Sequence, residues 1–160
     1  MSRIVGFPPI THTEDQVLIL GSMPSVESLK QDMYYANKTN RFWPMLGKIF
    51  ELPYQTRDDK LNLVKSANIA IWDVCYSCQR ETSADAKIRD IIPNDIAKLL
   101  KENPSIQIVI CNGKTSYDAL RKYFPEIQAV SLPSTSAANA KYRLNDLIHL
   151  YQPYIKGENR

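Results

Sequence analysis

Histidine is scarce in this chain: His12 and His149 lie near opposite ends of 160 residues. The three cysteines, Cys75, Cys78 and Cys111, are too few and odd in number for a disulfide framework. Cys75 and Cys78 have the spacing of a redox or metal pair, but a zinc or iron–sulfur site wants further soft ligands, which the distant histidines do not offer. Neither a metal nor a cofactor is therefore expected. No apolar run approaches the roughly 20 residues of a membrane span. The opening MSRIVGFPPI lacks a signal-peptide apolar region, so a cytoplasmic protein with no membrane partner is expected. Charge of one sign is also scarce. A net charge of +3, with basic residues dispersed among acidic ones, permits an anionic partner without demanding one.

What remains is ordinary for a folded domain, 44% hydrophobic and 23% charged. A chain of this length fits a single domain, expected to act as a monomer. Short apolar runs at 17–20, 69–72, 106–111 and 128–132 read as buried strands. Helical patterns fall between and after them at 25–31, 41–50, 57–66, 93–101, 116–124 and 137–151, with Pro93 suited to a first helical turn. Residues 1–15 read as an irregular arm and 156–160 as a frayed tail. Such alternation makes βαβ units with right-handed crossovers. The expected fold class is α/β, a three-layer sandwich with a central four-stranded parallel sheet flanked by helices. The strands then end in polar stretches at 21–25, 73–80, 112–113 and 132–136, where open α/β sheets hold ligands.

Two stretches, the first of these and one that follows it at 34–43, are rich in chemistry. In Gly21-Ser22-Met23-Pro24-Ser25 a glycine allows close backbone approach, a proline fixes φ, and two hydroxyls can meet a phosphate or a sugar edge. Tyr34-Tyr35-Ala36-Asn37-Lys38-Thr39-Asn40-Arg41-Phe42-Trp43 interleaves aromatics that stack on bases, amides that read polar edges and cations that meet phosphate. Together they suit a nucleotide. Each also has a plainer reading: serines capping helices, Phe42 and Trp43 packing helix onto sheet, Asp73 and Asn112-Gly113 making turns.

The strand ending in Gly-Ser-Met-Pro, the blocks Tyr-Tyr-Ala and Asn-x-Phe-Trp-Pro, and the late Leu132-Pro133-Ser134-Thr135-Ser136 resemble the uracil-DNA glycosylase superfamily. The branch most similar is that of the hypoxanthine-DNA (deoxyinosine) glycosylases, over about residues 17–139. The resemblance implies a monofunctional glycosylase that turns a deaminated base, hypoxanthine first, out of DNA and hydrolyses its glycosidic bond in base excision repair. It implies that Gly21, Ser22, Met23, Tyr35, Asp73 and Asn112 surround the base, Tyr35 by stacking and Asp73 by reading its edge. Pro24, Ser25, Pro133, Ser134 and Ser136 would meet the DNA backbone. Met23 stands where much of the superfamily carries the residue that holds water, and methionine is too weak an acceptor to do so. Asn40 is then the implied catalytic residue, its carbonyl orienting water. Leu132-Pro133-Ser134 lacks the histidine with which uracil-specific enzymes polarise their base, so strong uracil activity is not expected. Two other readings stay open: a nucleotide-binding α/β domain without chemistry, and a thiol oxidoreductase built on Cys75 and Cys78.

Overall fold

The computed structural model describes residues 3–80 and 88–157. In chain order the elements are β1 (Ile4–Val5), β2 (Val17–Gly21), α1 (Val26–Gln31), α2 (Phe42–Phe50), α3 (Arg57–Ser66), β3 (Ile69–Asp73), β4 (Cys75–Gln79), β5 (Arg89–Pro93), α4 (Ile96–Glu102), β6 (Ile108–Asn112), α5 (Lys114–Tyr123), β7 (Val130–Leu132) and α6 (Leu144–Ile155). No described helix is long and apolar enough to cross a membrane.

Successive side chains of a strand point to opposite faces. In β2, Val17 and Ile19 face one way, Leu18 and Leu20 the other, and all four are fully buried, so the strand must be covered on both sides. It is the heart of a parallel sheet of order β3-β2-β6-β7. Val17 lies opposite both Ile69 and Ile108, and Gly21 lies opposite Asp73. Val17 and Ile19 pack with Met45 and Leu46 of α2, Leu63 of α3 and Tyr151 of α6. Leu18 and Leu20 pack with Ile96 and Leu99 of α4 and Leu120 of α5. Helices therefore flank a four-stranded parallel sheet as the alternation predicts, each large buried side chain contributing about 1.5–3 kcal/mol. The chain leaves β2 toward β3 but leaves β6 toward β7, so the sheet's topological switch lies between β2 and β6. The ligand crevice belongs at Gly21 and Asn112, the carboxyl ends of those strands.

Several expectations need correction. The arm at 1–15 contributes β1 and a bridge from Ile10 to Ile71. Residues 75–79, read as a ligand loop, form β4, the middle of a three-stranded antiparallel sheet of order β1-β4-β5. Its polar sequence hid it, because register shifts around Ser77 break the alternation that marks a strand. Pro93 ends β5 instead of opening a helix, and α4 starts after Asp95, whose carboxylate caps Lys98 N–H at 3.1 Å. The last helix begins at Leu144, not Ala137. Residues 137–143 turn instead, because Arg41 draws on the carbonyls of Ser136, Asn139 and Tyr142, which a helix would keep for its own ladder. Of the expected tail at 156–160, residues 158–160 lie outside the described residues.

Beneath the small sheet Met23, Cys75 and Cys78 form a separate apolar cluster with Ile4, Ile88 and Ile91. The three cysteines make no disulfide. Burial pushes the Cys78 thiol up, against the pull of the Arg80 and Arg3 guanidinia, whereas a redox cysteine needs its thiolate favoured. Cys75 and Cys78 are packing residues. Their thiols should resist an alkylating reagent until the protein unfolds, and Cys78→Ser should lower stability by about 1–3 kcal/mol in denaturant titration, since it buries a hydroxyl among apolar groups. Rapid alkylation of the native protein would instead reveal an accessible thiolate.

Candidate active site

A cavity of about 680 Å³ opens at the carboxyl ends of the parallel strands, a size suited to a small ligand. It gathers every residue that the resemblance places at the base or the DNA backbone except Pro133, whose carbonyl accepts from Tyr151 Oη at 2.6 Å and so ties the loop after β7 to α6.

The floor is made by β2 and β3. Val74 N–H donates to Gly21 O at 2.9 Å and Cys75 N–H to Ser22 O at 3.1 Å, which locks the first loop against the end of β3. Asn94 holds that turn from below, its Nδ2 donating to Asp73 O at 2.8 Å and Cys75 O at 3.2 Å. A side chain at 21 would displace the groups above it. A Cβ there would stand 2.5 Å from Asp73 Oδ1 and 3.0 Å from Tyr35 Oη, so the carboxylate and the phenol converge above its backbone. Asp73 is buried and adds its charge to the burial that pushes the neighbouring Tyr34 phenol up. Tyr34 stays protonated and donates to Pro8 O at 2.8 Å.

Tyr35 forms one wall. Its ring stacks on Phe42, centroids 4.0 Å apart, and it is half-buried, while Phe42 and Trp43 are core residues as the plainer reading held. Its φ of 53° is the left-handed conformation that a bulky residue seldom adopts. The neighbours enforce it: Trp43 Nε1 donates to Tyr34 O at 2.8 Å, and Ala36 N–H donates to Ser28 Oγ at 3.0 Å.

The opposite wall is a hydrogen-bond chain. Asn40 Oδ1 accepts from Phe42 N–H, the first of α2, at 2.9 Å and from Thr135 Oγ1 at 2.8 Å. Both lone pairs of that oxygen are used. Two protein donors thus converge on the carbonyl expected to orient water, and the amino group Nδ2 has no partner among the described residues. Asn112, at the end of β6, is bound to Thr135 at both ends of its amide, at 2.9 and 3.1 Å, which fixes its orientation and leaves one N–H and one lone pair toward the cavity it lines. Met23 lines the cavity, but its side chain belongs to the cluster beneath the small sheet.

The serines have settled local duties. Ser25 caps α1 through Ser28 N–H at 3.1 Å. Ser134 Oγ accepts from Ser136 N–H at 3.1 Å and Ser136 Oγ from Ala138 N–H at 3.2 Å, so each hydroxyl keeps its own proton to donate outward. Sequence reasoning passed over Thr135 and Asn94, and it read Arg41 as a cation for phosphate, whereas the guanidinium is spent on backbone carbonyls. Arg41 donates through Nε to Thr135 O at 3.0 Å, through Nη1 to Tyr142 O at 2.5 Å, and through Nη2 to Ser136 O at 2.8 Å and Asn139 O at 3.3 Å. The only sequence signal for it was an arginine set between the asparagine and the Phe-Trp of one block.

The model of the uracil DNA glycosylase superfamily matches residues 8–154. A hypoxanthine DNA glycosylase of Methanosarcina acetivorans is 33% identical over 147 residues, which is 88% of this chain and 90% of that protein. One of Methanosarcina barkeri is 34% identical over 143 residues, 85% of this chain and 88% of that protein. A solution NMR structure of a candidate uracil DNA glycosylase from Methanosarcina acetivorans superposes with a TM-score of 0.76 at 29% identity, covering 97% of this chain and 99% of that one. The matched span takes in the whole parallel sheet and every wall of the cavity, and this chain belongs to the uracil DNA glycosylase superfamily.

Proposed function

We propose that this DNA glycosylase removes hypoxanthine from DNA, as a step of base excision repair, with Asn40 as its catalytic residue. The observation that carries the reading is the fixed amide of Asn40, whose amino group shares one cavity with the Asp73 carboxylate and the half-buried ring of Tyr35. A base inside a duplex hides both its edge and its glycosidic bond, so the nucleotide must first leave the stack, at a few kcal/mol. Ser134 and Ser136, with hydroxyl protons to donate, and the loop at Pro24 and Ser25 would then grip the distorted backbone. Stacking on Tyr35 returns about 1–3 kcal/mol. Hypoxanthine carries an N–H beside a carbonyl on its pairing edge, and Asp73 can accept that proton. The two relatives named as hypoxanthine DNA glycosylases support the choice of base. So does the segment Leu132-Pro133-Ser134, which holds no histidine to polarise uracil.

Hydrolysis breaks the bond from sugar carbon to base nitrogen, the electron pair leaves with the base, a water oxygen bonds to the carbon, and a water proton ends on the base. Asn40 presents donors, so its part is to stabilise the negative charge growing on the departing base, an interaction stronger in the transition state than before it.

Single-turnover release of hypoxanthine from an inosine duplex tests this. Asn40→Ala should lose on the order of 10²-fold or more, about 3 kcal/mol, with little change in affinity for an uncleavable inosine analogue. Asn40→Asp should be as inactive, because a carboxylate keeps the two accepted bonds but has no proton to give; an active Asn40→Asp would return the residue to holding water, and an active Asn40→Ala would remove it from the chemistry.

Tyr35 has a separate test. Tyr35→Phe should keep most activity, and Tyr35→Ala should weaken binding of the same analogue by about 1–3 kcal/mol. Because the ring also packs on Phe42, some loss of thermal stability is expected as well. A stability loss with unchanged affinity would make Tyr35 a packing residue only.

A further inference from the structure

We propose that Thr135 is a positioning residue that decides which end of the Asn40 amide faces the departing base, an inference that rests on the reading of this cavity as the glycosylase site. Thr135 is only 1% exposed, and it is committed to Asn112 twice. Its N–H donates to Asn112 Oδ1 at 2.9 Å, and its Oγ1 accepts from Asn112 Nδ2 at 3.1 Å. Because Asn112 supplies the proton of that second bond, the hydroxyl's own hydrogen goes to its remaining neighbour, Asn40 Oδ1 at 2.8 Å. The direction of the bond to Asn40 is thus set at the end of β6, on the far side of Thr135.

The consequence for Asn40 is an orientation rather than a contact. Phe42 N–H and the Thr135 hydroxyl both point hydrogens at one end of the amide, and only the carbonyl can accept them. An amide turned by half a rotation would set its own hydrogens against two donors and lose both bonds. Thr135 is held from its other side as well, its carbonyl accepting from Arg41 N–H and from Arg41 Nε, each at 3.0 Å. A methyl in place of the hydroxyl would leave Phe42 N–H as the sole restraint on the Asn40 amide.

The test joins excision by the full chain with a readout that needs no excision. Thr135→Val, close in shape but without the hydroxyl, should lower the single-turnover rate constant on an inosine duplex by about tenfold or more, with affinity for an uncleavable inosine analogue within about threefold of wild type. Thr135→Ser should restore the rate to within about threefold. In an Asn40→Ala background the Thr135→Val effect should shrink below about twofold, because the two residues act through one group. Independently, the Asn40 side-chain amide signals in a nitrogen–proton correlation spectrum, identified by their loss in Asn40→Ala, should shift and broaden in Thr135→Val and return in Thr135→Ser. If Thr135→Val does not fold, Asn112→Asp serves instead: it replaces the donor by an acceptor, draws the hydroxyl hydrogen away from Asn40, and should reproduce both effects. A variant that loses thermal stability but keeps its rate constant, or Asn40 signals that stay in place, would overturn the proposal. Should the wild type release no base from inosine, xanthine or uracil duplexes, the glycosylase reading of the cavity falls, and the Asn40 signals still decide whether Thr135 holds the amide.

Discussion

The guanidinium of Arg41 donates to the carbonyls of Thr135, Ser136, Asn139 and Tyr142, and the whole wall of the cavity after β7 depends on that fork. The turns of that segment, closed by Asn139 N–H to Ser136 O at 3.0 Å and Tyr142 N–H to Asn139 O at 3.4 Å, are thereby fastened to the start of α2. An arginine is suited to the task because its planar fork offers five donors in fixed directions and stays charged, so one side chain can serve four acceptors at once. The same residue stands at the start of α2, one position after Asn40. The loop that carries Thr135 and the turn that carries Asn40 are therefore joined through backbone atoms of neighbouring residues, and their side chains meet because their main chains are already tied together.

How much of this was legible in the sequence follows from the kind of signal each feature leaves. The parallel strands were legible because full burial on two faces leaves a run such as Val17-Leu18-Ile19-Leu20 with no polar choice. β4 was not, since Cys75-Tyr76-Ser77-Cys78-Gln79 covers only one small cluster and is bulged, so its residues need not alternate. The segment 137–143 has good helix formers, Ala137, Ala138, Ala140 and Lys141, and turns all the same. A tertiary demand for its carbonyls outweighs propensities worth a few tenths of a kcal/mol per residue. The cavity residues were named because they end strands or sit in aromatic and amide-rich blocks. Thr135 sat inside one of those blocks and still went unnoticed, because a hydroxyl's part in a chain of bonds depends on partners distant in sequence.

The plainer readings and the functional ones turned out to be less opposed than the sequence suggested. Asn40 holds the first N–H of α2 and lines the cavity, with different ends of one amide open to the two tasks. Ser134 and Ser136 cap their own turns as acceptors while keeping a proton to donate. Tyr35 packs on Phe42 with one face. A small domain has few side chains to spare, and groups with two chemical ends let one residue hold the fold and meet the ligand. Substitutions at such positions change stability and function together, so separating them needs variants that alter one end only.

An amide makes a poor acid and a poor base, and that limits how a site built on Asn40 can accelerate a reaction. It cannot take a proton from water at neutral pH, so what it contributes must come from standing already oriented where charge will develop. Orientation is costly to maintain for a side chain that turns about its last bond with nearly equal ease in either sense. Here Phe42 N–H, the Thr135 hydroxyl and, behind it, Asn112 remove that freedom before any ligand arrives. Tyr35 is fixed in the same manner, held at a φ of 53° by bonds to the residues on either side of it. Both walls of the cavity thus meet the ligand with their ordering entropy already lost in folding, so the binding energy of a flipped base need not be consumed in arranging them.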